Sequence, residues 1–210
     1  MAPCFVRIDP CAPSPRSIKS AVDVMRAGGV VAYPTETFYG LGVDALSGGA
    51  IRKIYSIKKR DPSQPLLILI SHYDLLSEYV AMVPEIARKL TERFWPGPLT
   101  IIFSASPRIP SLLCAGTGKI AVRISSHPIA RALAAAMDVP ITSTSANLTG
   151  LPSPTMPEEV FNQLHSKIDM IIDGGKTMGG MPSTIVDVTM SPLQLVREGA
   201  ISFNEILKVG

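Results

Sequence analysis

The sequence predicts an α/β fold: a single domain with a twisted sheet of mixed parallel and antiparallel strands, flanked by helices. Three observations predict it. Short apolar runs alternate along the chain with stretches of helical periodicity. Some of the late runs have no helix between them, although parallel neighbours need a long crossover. No interval rich in linker residues divides the 210 residues into two series, and that length suits one domain with a short appendage. Residues 1–14 are therefore expected to form an N-terminal extension and residues 15–210 the domain.

The elements follow in order. Ser17 is placed to cap a helix in which Ile18, Ala21, Val22 and Met25 share one face, and Gly28-Gly29 ends it. Val30–Tyr33 reads as a buried strand stopped by Pro34, and 49–58 as a helix with Ile51, Ile54 and Tyr55 inward. Leu66–Ile70 is the next strand, followed by a Ser71-capped helix and another helix over 84–94. Trp95-Pro-Gly-Pro98 must turn, after which 99–103 and 120–124 read as strands. A helix over 128–137 opens with proline in its first turn, and 139–143 is a strand. Thr155 with Glu158 forms a capping box for a helix to about Lys167. Strands at 170–173, 184–188 and 193–197 and a helix over 203–207 close the chain.

Composition excludes several classes. Apolar residues make up 46% of the chain, so a sizeable core is available and disorder is not expected. A net charge of +3 does not by itself indicate a nucleic-acid partner, although residues 51–60 hold five basic side chains and no acid. Cys4, Cys11 and Cys114 lack metal or disulfide spacing, which suits a reducing compartment. The first ten residues contain Arg7 and Asp9, unlike a signal peptide, and the aliphatic run 66–70 is too short for a membrane. A soluble cytoplasmic protein is expected. Gly175-Lys176-Thr177 lacks the first glycine of a P-loop, because residue 170 is Met170. Gly40, Gly42 and Ala45 partly fit a dinucleotide fingerprint, but TETFY separates them from the strand before. His72, His127 and His165 have no metal-ligand spacing.

Other residues resist a purely structural explanation. In PITSTSANLTG, Ser143, Ser145 and Asn147 alternate as strand side chains do, giving a ladder of hydroxyl and amide groups or, failing that, a polar turn. Lys58 lies seven residues after Ile51 and four after Ile54, on the apolar face of its helix, with Arg60 two residues on. Paired cations suit an anion; a snorkelling lysine is the alternative. In IAVRI, Arg123 shares a strand face with Ala121, so it needs either an anionic ligand or a carboxylate partner. Arg197 follows the same logic beside Gly199, and Pro34-Thr35-Glu36-Thr37 places polar groups at a strand end, where α/β folds bind ligands. Together these residues predict a concave, basic cavity for a polyanionic small molecule.

These segments also resemble the YrdC-type threonylcarbamoyl-AMP synthases of tRNA modification. The matching blocks are PTETFYGLG (34–42), IYSIKKRDPSQPL (54–66), FWPGPLT (94–100), IAVRISSHP (120–128), TSANLTGLPSPT (144–155), PSTIVD (182–187) and VREG (196–199). They run collinearly over about 15–200. The resemblance implies synthesis of threonylcarbamoyl-adenylate and pyrophosphate from L-threonine, bicarbonate and ATP, the first step towards N6-threonylcarbamoyladenosine at tRNA position 37. It implies Lys58 and Arg60 as the catalytic pair on the ATP phosphates. Thr35, Arg123, Ser143 and Ser183 would bind threonine, and Lys119, Ser145, Asn147, Ser153 and Arg197 the nucleotide. Mg²⁺ would enter with ATP, with no metal held by the protein itself, and a tRNA-modifying transfer complex would take the product. Weak direct tRNA binding is a further expectation.

Two departures stand out. Longer relatives carry a histidine where this chain has Leu69, and this sequence, ending near 210, resembles the short single-domain branch. A sister group shares the fold but lacks the K-x-R and S-x-N features that are present here. The loop 59–64 and the stretch 174–180 are the expected moving parts. The competing expectation is a non-catalytic module that binds tRNA or double-stranded RNA on a basic concave face, with 51–60 against the phosphate backbone.

Overall fold

Proline starts the first helix. In the computed structural model, which describes residues 2–209, α1 (Pro15–Arg26) begins behind Ser14 with Pro15 in its first turn, not at Ser17. The fixed φ of proline suits that position, and Ile18, Ala21, Val22 and Met25 are buried as their spacing requires. Next come β2 (Val31–Pro34), β3 (Tyr39–Gly42) and α2 (Gly48–Lys58). They follow β1 (Cys4–Arg7) in the chain. Then β4 (Leu67–Leu69) leads into a 3₁₀ turn at Tyr73–Leu75 and the single turn α3 (Leu76–Tyr79), where the sequence suggested one Ser71-capped helix.

The middle of the chain holds α4 (Glu85–Phe94), β5 (Leu99–Ser104), β6 (Lys119–Arg123) and α5 (Pro128–Met137). The strand expected at 139–143 is divided into β7 (Ile141–Thr142) and β8 (Thr144–Ser145). Helix α6 (Pro157–Leu164) is shorter than expected, and Glu159, not Glu158, accepts from the Thr155 and Met156 amides. The chain closes with β9 (Met170–Asp173), β10 (Thr184–Asp187), β11 (Gln194–Arg197) and α7 (Phe203–Leu207).

Among the described residues the strands form two mixed sheets instead of one. The first runs β1-β9-β2-β3-β8 and the second β11-β10-β5-β6-β4-β7. In the first, β9 is parallel to β1 and β2, while β3 is antiparallel to its neighbours. In the second, β10 runs parallel to β5 and β4 parallel to β6, with the other pairs antiparallel. The segment set apart as an N-terminal extension thus supplies β1, and Ile8 behind it is buried.

The larger apolar core joins both sheets. Leu41 of the first sheet clusters with Ile68, Ile101, Phe103 and Val122 of the second and with Ile51 and Ile54 of α2. A second cluster holds α1 and α5 against the first sheet through Met25, Leu133, Val31 and Ile172. No described helix is long and apolar enough to cross a membrane. The chain crosses between the sheets after β3, after β7 and after β9, and the crossing after β7 is the shortest: Thr142 pairs in the second sheet, Thr144 in the first, and Ser143 lies between.

Candidate functional site: a cavity at the seam of two sheets

Strand alternation builds the floor. Along β6, Ile120 and Val122 enter the core while Ala121 and Arg123 face the other way, into a cavity of about 340 Å³. Leu67 of β4, Ile102 of β5 and Ile185 of β10 line the same floor. The small Ala121 side chain leaves room for a ligand above it. Thr35, Tyr39, Gly40, Thr144 and Ser145 form the wall towards the first sheet. At Gly40 an added Cβ would lie 3.1 Å from the Ser143 hydroxyl, so glycine keeps this wall close to the seam.

Cations and hydroxyls dominate the chemistry. The lining contains Arg60, Arg123 and Arg197 and no carboxylate, with Ser143, Ser145, Ser153 and Ser183 alongside. Arg197 donates to the Ser183 carbonyl from both Nε (3.2 Å) and Nη2 (2.8 Å), and Thr100 donates to the Ser183 hydroxyl at 3.0 Å. Burial, then the nearby Arg123 charge, lowers the Arg197 pKa. Crowded cations of this kind favour an anionic ligand, which relieves their repulsion.

Helix α2 presents Lys58 and Arg60 differently. Lys59 takes the left-handed conformation (φ 51°) at the C-cap, which ends the helix and turns Arg60 to the rim. Arg60 donates to the carbonyls of Gln64 (3.3 Å) and Pro65 (3.0 Å) and lines the cavity. Lys58 is 2% exposed and lies behind the wall. Its ammonium donates to the carbonyls of Ser145 and, at 2.7 Å, Asn147. Burial first, and the Arg60 charge second, push its pKa down to about 7.

The predicted ladder lines the cavity only in part. Ser143 and Ser145 line the cavity. Asn147 is buried and turned away; its amide donates to the carbonyls of Leu148 (2.9 Å) and Leu151 (2.7 Å) and so shapes the following loop. The strand is broken because Ser143 carries the chain from one sheet to the other, so the three side chains do not share one face. Thr35 donates its hydroxyl to the Phe38 carbonyl at 2.7 Å, closing the turn after β2 while lining the cavity. Lys119 lies at the start of β6, paired with Asp187 at 2.8 Å, outside the lining.

Of the sequence-predicted residues, Thr35, Arg60, Arg123, Ser143, Ser145, Ser153, Ser183 and Arg197 therefore meet in one cavity. Lys58 and Asn147 support its wall, and Lys119 stands apart. Sequence reasoning assigned no role of its own to Glu36, the carboxylate paired with Arg123 at 3.5 Å. The signal was present: Arg123 required an anion, and Glu36 was the acid in the polar turn after β2.

Comparison with known proteins places the molecule. The family model Sua5_yciO_yrdC, described as telomere recombination, matches residues 23–199. The chain belongs to the Sua5/YciO/YrdC family. Within it, the threonylcarbamoyl-AMP synthase of Pyrococcus abyssi is 41% identical over 192 residues, 91% of this chain and 56% of that protein. The threonylcarbamoyl-AMP synthase of Bacillus subtilis is 40% identical over 190 residues, 90% of this chain and 55% of that protein. The chain thus spans just over half the length of these curated relatives. The Vibrio cholerae threonylcarbamoyl-AMP synthase is 36% identical over 185 residues, 87% of this chain and 97% of that one.

Solved family members share the fold. The crystal structure of P. abyssi Sua5 complexed with L-threonine superposes with a TM-score of 0.94 at 38% identity, covering 98% of this chain and 60% of that one. Escherichia coli YciO gives a TM-score of 0.87 at 33% identity, covering 94% and 96%. The Sua5/YciO/YrdC architecture expected from the sequence blocks is thus the observed one.

Proposed function

We propose that this chain makes threonylcarbamoyl-adenylate and pyrophosphate from L-threonine, bicarbonate and ATP. The observation that carries the reading is the seam cavity, which gathers three arginines and a set of hydroxyls with no carboxylate among its lining residues. The names of its relatives and the threonine complex of P. abyssi Sua5 support it. In this reading Arg123, with Thr35, Ser143 and Ser183, holds the amino acid, and its carboxylate meets the guanidinium. Arg60 and Arg197, with Ser145 and Ser153, hold the nucleotide, while Lys58 and Asn147 fix the backbone behind them.

The chemistry asks for placement and charge neutralisation more than for a covalent protein intermediate. The threonine nitrogen bonds to the bicarbonate-derived carbon with loss of water, giving a carbamate. A carbamate oxygen then bonds to the α-phosphorus of ATP as the bond to the β,γ-bridged leaving group breaks. Negative charge builds on the departing pyrophosphate, where the arginines neutralise it. Mg²⁺ would enter as part of the nucleotide substrate, held by phosphates and water, as suits a cavity lining without a carboxylate. The adenylate hydrolyses readily, which suits a recessed cavity and prompt delivery to a tRNA-modifying transfer complex in the cytoplasm.

The deciding experiment measures pyrophosphate release while each substrate is withheld in turn. Release requires threonine and bicarbonate together, and Arg60→Ala, at the rim, removes it without lowering the melting temperature. Lys58→Ala removes both activity and stability, because two buried carbonyls lose their donor. Salt-sensitive RNA binding with no threonine-dependent turnover would instead establish the non-catalytic module.

A further inference from the structure

Arg123 is the most deeply placed cation of the cavity, its side chain 4% exposed, and its partner Glu36 is 10% exposed. The pairing is unusual. Arg123 Nη2 reaches Glu36 Oε2 at 3.5 Å, and the Ser125 hydroxyl donates to that same oxygen. Arg123 Nε and Glu36 Oε1 are both buried without a hydrogen-bond partner. A guanidinium and a carboxylate with freedom to relax form two parallel bonds, and here neither has done so. Both ends are constrained. Glu36 is carried in the turn that Thr35 closes onto Phe38, and Ser125 draws its carboxylate aside. Arg123 is fixed in β6, in register with Leu69 of β4.

We infer that Glu36 is a positioning residue: with Ser125 it holds the Arg123 guanidinium by one corner at Nη2, so that the rest of this cavity-lining side chain keeps hydrogen-bonding capacity for a ligand carboxylate. Glu36 is not among the cavity-lining residues, so it acts through Arg123 and does not touch the substrate. It also compensates a buried charge while the cavity is empty. A full two-bond pair would satisfy Glu36 but would occupy the edge that a ligand needs. A missing pair would leave Arg123 free to turn towards the phosphates of the neighbouring nucleotide. The inference rests on the threonine-binding role proposed above for Arg123, and deepens it by naming what orients the carboxylate-binding group.

The test compares wild type with Glu36→Gln, which keeps the shape and removes the charge, and with Ser125→Ala, which removes only the hydroxyl. Affinities for L-threonine and for a non-hydrolysable ATP analogue are measured separately by calorimetry, and the Arg123 Nε–H signal is followed by NMR without ligand. Threonine binding is expected to weaken by about tenfold, roughly 1.4 kcal/mol, while the ATP analogue changes by less than about twofold. The Arg123 signal should shift and exchange faster with water. Unchanged threonine affinity, or equal weakening of both ligands, overturns the inference. Wild-type protein that binds no threonine instead overturns the substrate assignment; the Arg123 signal then decides alone, and its being the same in wild type and Glu36→Gln rejects the role of Glu36. Ser125→Ala carries the same comparison if Glu36→Gln does not fold.

Discussion

At the residue scale, the most consequential side chain is Lys58. Burial lowers its pKa from 10.5 to about 7, so above that value the folded protein holds it largely neutral while the unfolded chain keeps it charged. Protons are then bound more by the unfolded state, and this group's contribution to stability rises with pH from about 7 towards the free-lysine value. Below about 7 both states carry the charge and the full burial penalty applies. A polyphosphate bound beside Arg60 would favour the charged lysine. Nucleotide binding at a pH of about 8 should therefore take up protons, seen as a binding enthalpy that varies with the ionisation enthalpy of the buffer. A buffer-independent enthalpy would show that the phosphates do not sense Lys58. The placement of Lys58 on an apolar helix face was legible in its spacing from Ile51 and Ile54. Its two carbonyl partners were not, because they come from the distant segment 145–147, at the end of β8 and just beyond it.

Strand β11 depends on a missing side chain. A Cβ at Gly199 would lie 2.1 Å from the Pro182 carbonyl oxygen and 2.8 Å from that of Ser183, far inside contact distance. The Gly199 amide also donates to the Thr184 hydroxyl at 3.0 Å, holding the end of β11 against β10. Gly199→Ala must push these strands apart and take Arg197 with them, away from Ser183. We expect weaker nucleotide affinity together with a lower melting temperature; a fully stable variant with normal affinity would rule out this coupling. The elements most legible in the sequence were those with strong periodicity, such as α1, α5 and β9. β3 was not legible, since Tyr-Gly-Leu-Gly carries little strand propensity and earns its place through the Tyr33 ring, which lies where a Gly42 Cβ would be. The division into β7 and β8 was hidden for a similar reason: local alternation continues through Ser143, and only the partners of each half differ.

For the whole molecule, the reading of one sheet gave way to two, and this decided which predicted residues meet. Strand alternation correctly placed Arg123 and Ala121 on one face of β6, the face that lines the cavity, because it depends only on neighbours along the chain. Which strand closes each edge depends on contacts far apart in sequence, so β1 escaped notice. It pairs with β9, and Ile8 is 3% exposed. Removing residues 2–8 should uncover the β9 edge and lose the Ile8 burial, about 1.5–3 kcal/mol, lowering the melting temperature and promoting association through the open edge. The cavity draws nothing from β1. Pyrophosphate release per folded molecule should therefore persist at low temperature, and its loss there would mean that β1 supports the site.

The crossing at Ser143 has a mechanical meaning as well. It is the shortest of the three crossings, a single residue between paired strands, so the two sheets have least freedom to separate there, and the shared apolar core holds them together elsewhere. Ligands resting on Ser143 and Ser145, two residues or roughly 7 Å of extended chain apart, would lie at this tightest junction. Two reacting groups held there would keep their separation.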